Sequence, residues 1–228
     1  MRVFDVTQDR SGNLTELADP GWSGLDRVTL PLAPVPLERQ PNEYIRRTWS
    51  DRAYGTVREV EVAAAAQGDR LFVRLEWADS EIPNTEFLDG AGVFFPDPDD
   101  EESPEGIGSR AAPVRLWAWR DRMPVQQALP AARELLASGP GVFHPYPVTS
   151  SDGDEGVQAG GGSSSTGVAA MSARSDGRWA VVLSGELSAA RSGRMGVVVW
   201  DGSNEERAGI GAVTQAWVPL VVDRGSQD

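Results

Sequence analysis

His144, the chain's one histidine, three internal methionines (Met123, Met171 and Met195) and three tyrosines are the side chains that could ligate a transition metal, because the 228 residues include no Cys and no Lys. Without Cys there are no disulfides, thiolate zinc sites, Cys-held iron–sulfur clusters or thiol nucleophile. A Ser-His-Asp arrangement would have to use His144, which stands between Phe143 and Pro145 with no G-x-S-x-G around it. The run GGGSSSTG at residues 160–167 lacks the Lys and the preceding strand that a phosphate-cradling loop requires. Two acidic runs, DPDDEESPE at residues 97–105 and DGDE at residues 152–155, lack EF-hand ligand spacing and read as solvated loops. Catalysis by this chain alone therefore finds no support. Met171 and Met195 belong to neighbouring strands and either could face the space between two sheets, although a methionine at strand spacing is ordinary core filling.

The elements that must position these residues are strands. Residues 194–220 organise the rest: Met195, Val197 and Val199 alternate with Gly196, Val198 and Trp200, Asp201-Gly202-Ser203-Asn204 supply turn chemistry, and residues 212–222 run extended again. Both strands are apolar on both faces, the pattern of a strand covered on each side. Val60, Val62, Ala64 and Ala66 share one face of a strand, and Gln67-Gly68-Asp69 turn it into a second in which Leu71, Val73, Leu75 and Trp77 share a face. Residues 113–119 form a strand with Trp117 and Trp119 on one face, and residues 168–172 and 179–187 make another hairpin about Ser175-Asp176-Gly177. A short helix is expected from about Pro130, with proline in its first turn. Nine or ten short strands with one or two short helices in loops define an all-β, antiparallel two-sheet β-sandwich. Residues 1–25 read as an N-terminal arm, residues 26–223 as one sandwich domain and residues 224–228 as a C-terminal tail.

A net charge of −13 disfavours phosphate backbones and anionic lipid, so nucleic acid is not an expected partner. All 21 basic side chains are Arg, which GC-rich codon usage explains and a salt-adapted surface would also fit. No apolar run is long enough to span a bilayer. The first residues, MRVFDVTQDRSGN, contain neither an apolar h-region nor a twin-arginine motif, which predicts a cytoplasmic protein; export while docked to a signal-bearing partner is the alternative.

Several of these segments match one family. Val198 to Gly202 followed by Glu206, Arg207, Gly209 and Thr214, with Trp217 one residue late, resembles its closing A-V-W-D-G and E-R-x-G-x-K-x-x-S-x-W. Trp77-Ala78-Asp79 and residues 87–96 resemble its W-x-D and F-x-D-x-x-A-V-x-F-P, Pro113 to Trp119 its P-V-x-x-W-x-W, and Gln40 to Ile45 its opening segment. The family is that of the haem b (gamma) subunits of ethylbenzene dehydrogenase, dimethyl sulfide dehydrogenase and related molybdoenzymes. The resemblance implies a sandwich that packs on an iron–sulfur subunit, which serves a molybdopterin catalytic subunit. It also implies a haem held by a methionine and a lysine. Here those two positions are Ile107 and Gly211, neither of which can ligate iron.

The resemblance thus predicts a non-catalytic, gamma-type accessory subunit that has lost its haem and keeps a structural role. One alternative is a haem b subunit with substitute ligands from His144, Met171 or Met195, in a pocket near Trp117, Trp119 and Trp200. The other is a carbohydrate-binding module of the family-9 kind, in which Trp117, Trp119, Trp200 and Trp217 offer stacking faces to a sugar.

Overall fold

The alternation in residues 59–78 builds the centre of the molecule, and the remaining strands are laid to either side of it. The computed structural model describes residues 2–5, 12–40, 42–80, 86–98, 104, 106–108, 114–121, 126–129 and 168–223. Its strands are β1 (Arg2–Asp5), β2 (Val28–Pro34), β3 (Glu59–Gln67), β4 (Arg70–Ala78), β5 (Gly90–Pro96), β6 (Val114–Arg120), β7 (Gln126–Leu129), β8 (Ala169–Ser175), β9 (Arg178–Glu186), β10 (Arg194–Trp200), β11 (Ala212–Thr214), β12 (Val218–Pro219) and β13 (Val221–Asp223). One hydrogen-bonded path runs β7-β6-β5-β10-β11-β2-β3-β4-β9-β8, antiparallel at every step. It folds over at β2, which pairs with β11 on one side and β3 on the other, so that two layers face each other. This is the expected all-β sandwich. The expected helix near Pro130 lies outside the described residues.

Each layer is apolar on both faces, which gives three apolar zones. Between the layers, Val60, Val62, Leu71, Val73, Leu75 and Trp77 meet Val93, Phe95, Trp117, Trp119, Met195, Val197 and Val199. Outside β3, β4 and β9, Ala63, Ala65, Phe72 and Val182 are covered by Leu14 and Trp22. The stretch read as an arm therefore supplies part of this outer face through residues 12–25, and β1 adds parallel pairing to β3 and β13. Asp19 fixes the approach of Trp22: its carboxylate accepts the Gly21 N–H at 2.7 Å at the start of a short 3-10 turn, Pro20–Gly24. Outside β5, β6, β10 and β11, the third zone gathers Phe94, Ile107, Val114, Leu116, Val198, Trp200 and Val213.

The second half of the closing hairpin differs from the sequence expectation. It divides into three pieces: β11 pairs with the end of β10, β12 with its beginning, and β13 with β1. A helix of about two turns absent from the sequence reading, α1 (Glu43–Trp49), starts where Asn42 Oδ1 accepts the Tyr44 N–H at 2.8 Å.

Gly196 in β10 is directly opposite Phe94 in β5, and a Cβ at this position would lie 2.2 Å from the Phe94 ring. Gly196→Ala is expected to destabilise the fold by about 1–3 kcal/mol through overpacking in a rigid sheet. Urea denaturation measures this; an unchanged midpoint would mean that Phe94 has room to swing aside.

Candidate functional site

Ile107 and Gly211, the positions that the resemblance assigns to haem ligation, both border the third apolar zone, Ile107 as a member and Gly211 through Trp200. Ile107 is buried there among Val35, Phe94, Val198 and Trp200, and presents only hydrocarbon. Gly211 lies beneath the Trp200 indole: a Cβ added to it would be 2.7 Å from Trp200 Cδ1 and 2.9 Å from the Val199 carbonyl oxygen. Trp200 is itself held, donating from Nε1 to the Ala208 carbonyl at 2.8 Å. The adjoining backbone is equally tied, since Gln40 Nε2 donates to the Gly209 carbonyl at 2.7 Å and the Val35 N–H to the Gly211 carbonyl at 3.0 Å. No side chain longer than glycine enters at residue 211 unless Trp200 or the β10 backbone shifts.

Neither of the two described substitute donors, Met195 and Met171, reaches this zone. Met195 is fully buried on the opposite face of β10, between the layers. Met171 is 45% exposed on β8; it pairs across from Val182, whose side chain belongs to the outer zone with Trp22, so its sulfur points away from the inter-sheet space. This corrects the expectation that Met171 could face that space. The small residues flanking it in β8 leave no periodic signal to fix its face. His144 and Met123 lie outside the described residues. Trp117 and Trp119 face the inter-sheet core while Trp200 faces the third zone, so the three do not line one pocket. All three are buried, and none offers a sugar a stacking face. A haem needs an axial donor; among the described residues, Ile107 and Gly211 offer none, so these two positions do not fit the group.

Polar chemistry gathers instead at the end of the sandwich where β4 leaves, β5 begins and β10 ends. Asp89, the aspartate of the F-x-D match, is 2% exposed. It accepts the Gly202 N–H at 2.9 Å and Trp179 Nε1 at 3.0 Å. Trp179 Nε1 also lies 3.1 Å from Asp79, whose carboxylate pairs with Arg174 at 3.3 Å. Burial, reinforced by the neighbouring Asp79, pushes the Asp89 carboxyl up to about 6, with the two hydrogen bonds opposing the rise. Trp179 packs edge-on to Trp119, ring centroids 4.9 Å apart, and stacks on Trp77 at 6.3 Å. Beside the pair a cavity of about 190 Å³ is lined by Thr56, Val57, Trp77, Asp79, Ser80 and Asp201. This is below the roughly 300–1,000 Å³ of sites for drug-sized ligands.

Glu206, the glutamate of the E-R motif, is buried and stitches the 201–206 loop to the segment before β3. It accepts N–H bonds from Thr56 and Asp201, each at 3.1 Å, and one from Asn204 Nδ2 at 3.1 Å. Burial raises its pKa while these donors resist the rise. The sequence marked this loop as turn chemistry; nothing in local spacing says that its glutamate turns inward.

Comparison with known proteins agrees with the motifs. No family model matches the chain. A putative respiratory nitrate reductase heme subunit, ORF7, of Haloferax mediterranei is 29% identical over 221 residues, which cover 90% of this chain and 67% of that protein. The chlorate reductase gamma subunit of Ideonella dechloratans is 32% identical over 184 residues, 73% of this chain and 66% of that protein. The chain thus spans about two thirds of the length of each relative. With these similarities and the motifs in place, the chain belongs to the family of gamma subunits of type II dimethyl sulfoxide reductase-type oxidoreductases.

Proposed function

We propose that this chain is the gamma-type accessory subunit of a molybdopterin oxidoreductase complex, seated on its iron–sulfur subunit, and that it stabilises the assembly rather than conducting electrons through haem. The observation that carries the second half is the closed space at Gly211: the Trp200 indole occupies the volume from which a ligating side chain would start, and Ile107, in the same apolar zone as Trp200, presents only hydrocarbon. The names of the relatives, a heme subunit of a nitrate reductase and a gamma subunit of a chlorate reductase, support the first half. Electrons then leave through the iron–sulfur clusters of the neighbouring subunit to another acceptor, with the molybdenum pterin in the catalytic subunit.

The relative named as a heme subunit favours a second reading, haem b on substitute ligands. The two readings separate on a visible spectrum. Affinity purification from the native host tests the assembly itself: an iron–sulfur protein and a molybdopterin protein are expected to copurify in fixed ratio with this chain, with molybdenum and iron measurable in the eluate. Recovery of the chain alone under gentle conditions would refute the accessory-subunit reading.

A further inference from the structure

The polar end of the sandwich is built around two carboxylates that share one donor. Trp179 Nε1 lies 3.1 Å from Asp79 Oδ2 and 3.0 Å from Asp89 Oδ2, and the two carboxyl groups also meet directly. Through Oδ1, Asp89 accepts the Gly202 N–H at 2.9 Å. One carboxyl thereby fastens the loop after β10, in one layer, to an indole of β9, in the other. Among the described residues, the charged groups around the pair are few. Arg174 on β8 donates from Nη2 to the Asp79 carboxylate at 3.3 Å and to the Asp79 carbonyl at 2.9 Å. Asp201 lines the cavity that Asp79 also lines, and Arg207 is stacked on Phe87 at 4.5 Å, two residues before Asp89. Arg120 and Asp121 close β6, the Asp121 N–H donating to the Asp89 carbonyl at 2.9 Å. Two carboxylates in contact, both largely removed from water, do not ionise together without cost.

We propose that Asp79 and Asp89 share one proton and form a pH-sensitive clasp, which holds the Gly202 loop against Trp179 while protonated and loosens it when that proton leaves. The sign follows from the two states. Closed, Asp89 titrates at about 6; open and solvated, it titrates near its ordinary 3.8. The closed form is therefore favoured most below pH 4 and loses that advantage as pH rises through 6. Like-charge repulsion inside the clasp replaces the shared proton.

Amide hydrogen exchange on the full chain between pH 4 and 8, corrected for the intrinsic base-catalysed rate, reads the clasp at Gly202, and the Trp179 indole N–H resonance reads it at the other end. The opening constant at Gly202 is expected to rise about a hundredfold across that range, tenfold for each of the roughly two pH units separating the two pKa values. The indole resonance should titrate with the same midpoint. Asp89→Asn keeps Oδ1 for Gly202 and offers an amide N–H to Asp79, leaving the Trp179 indole N–H to Asp79 alone; with no proton to lose at residue 89, it should abolish both transitions. Flat protection at Gly202 in the wild-type chain overturns the proposal whether or not any variant folds. So does an unchanged transition in Asp89→Asn, and Asp79→Asn repeats the test from the other carboxyl.

Discussion

Trp200→Ala is expected to lower stability by about 3–5 kcal/mol, the range for truncating a large aromatic in a packed interior, and to leave the chain no better at holding haem. The indole is fully buried, its Nε1–H satisfies the Ala208 carbonyl, and its ring roofs Gly211. Removing it leaves both a void and an orphaned carbonyl. Trp200→Phe should recover the larger part of the loss, because it restores most of the volume and lacks only the N–H. Urea denaturation of both variants gives the ledger, and hemin titration of Trp200→Ala gives the second half. The void exposes Ile107 and a glycine, so no axial bond forms and no sharp low-spin Soret band should grow. A loss below about 1 kcal/mol would mean that the zone around Gly211 is loosely filled, contrary to the packing described.

Glu206→Ala is expected to cost about 2–4 kcal/mol. Its carboxylate is the common acceptor for Thr56 N–H, Asp201 N–H and Asn204 Nδ2, and all three donors lose their partner at once. Glu206→Gln should return no more than about half of this, since one oxygen becomes an NH2 that must face an N–H donor. The loop that Glu206 anchors also holds Glu205 at φ 62°, a backbone conformation that side-chain-bearing residues adopt rarely. Its release should therefore propagate to the Arg52–Glu205 ion pair at 2.8 Å. Chemical denaturation with hydrogen exchange at Thr56 and Asp201 measures both effects; a change within about 0.5 kcal/mol would show that water satisfies these amides as well as Glu206 does.

What the sequence made legible is what depends on near neighbours. The β3–β4 hairpin was readable because Leu71, Val73, Leu75 and Trp77 share one face of the second strand and Gly68, at φ 62°, sits in a turn that favours glycine, although the alternation of Val60, Val62, Ala64 and Ala66 is imperfect. The β8–β9 hairpin was readable from its turn, Ser175-Asp176-Gly177, with Gly177 at φ 68°. The covered faces of β10 followed from apolar residues at both parities, and the structure supplies a zone for each. The break between β11 and β12 was hidden because Gln215 to Trp217 interrupts the ladder without a glycine or proline to announce it, whereas Pro219 stands at the break between β12 and β13. Trp22 and Leu14 were hidden too. They are isolated apolar residues in a polar stretch, and their burial depends on Phe72 and Val182, far along the chain.

The site divides along the same line. Loss of the haem donors was visible as composition, since a chain with no Lys cannot supply a lysine at residue 211. The way in which the space was closed was not, because the contact of Trp200 with Gly211 is a fact of packing. The Asp79–Asp89 pair was likewise beyond local reading: each aspartate lies in a recognisable motif, but the indole that joins them comes from Trp179, about a hundred residues later. A carboxylate that titrates unusually is made by its surroundings, and those are assembled only by the fold.

The most direct measurement is haem per chain in the purified native complex, by visible spectrum and haem extraction on a preparation whose molybdenum and iron are already quantified. The account predicts molybdenum and iron–sulfur iron in fixed ratio to this chain, with no b-type Soret absorption following it. One b-type haem per copy of the chain would contradict it, and would place axial donors elsewhere than at Ile107 and Gly211.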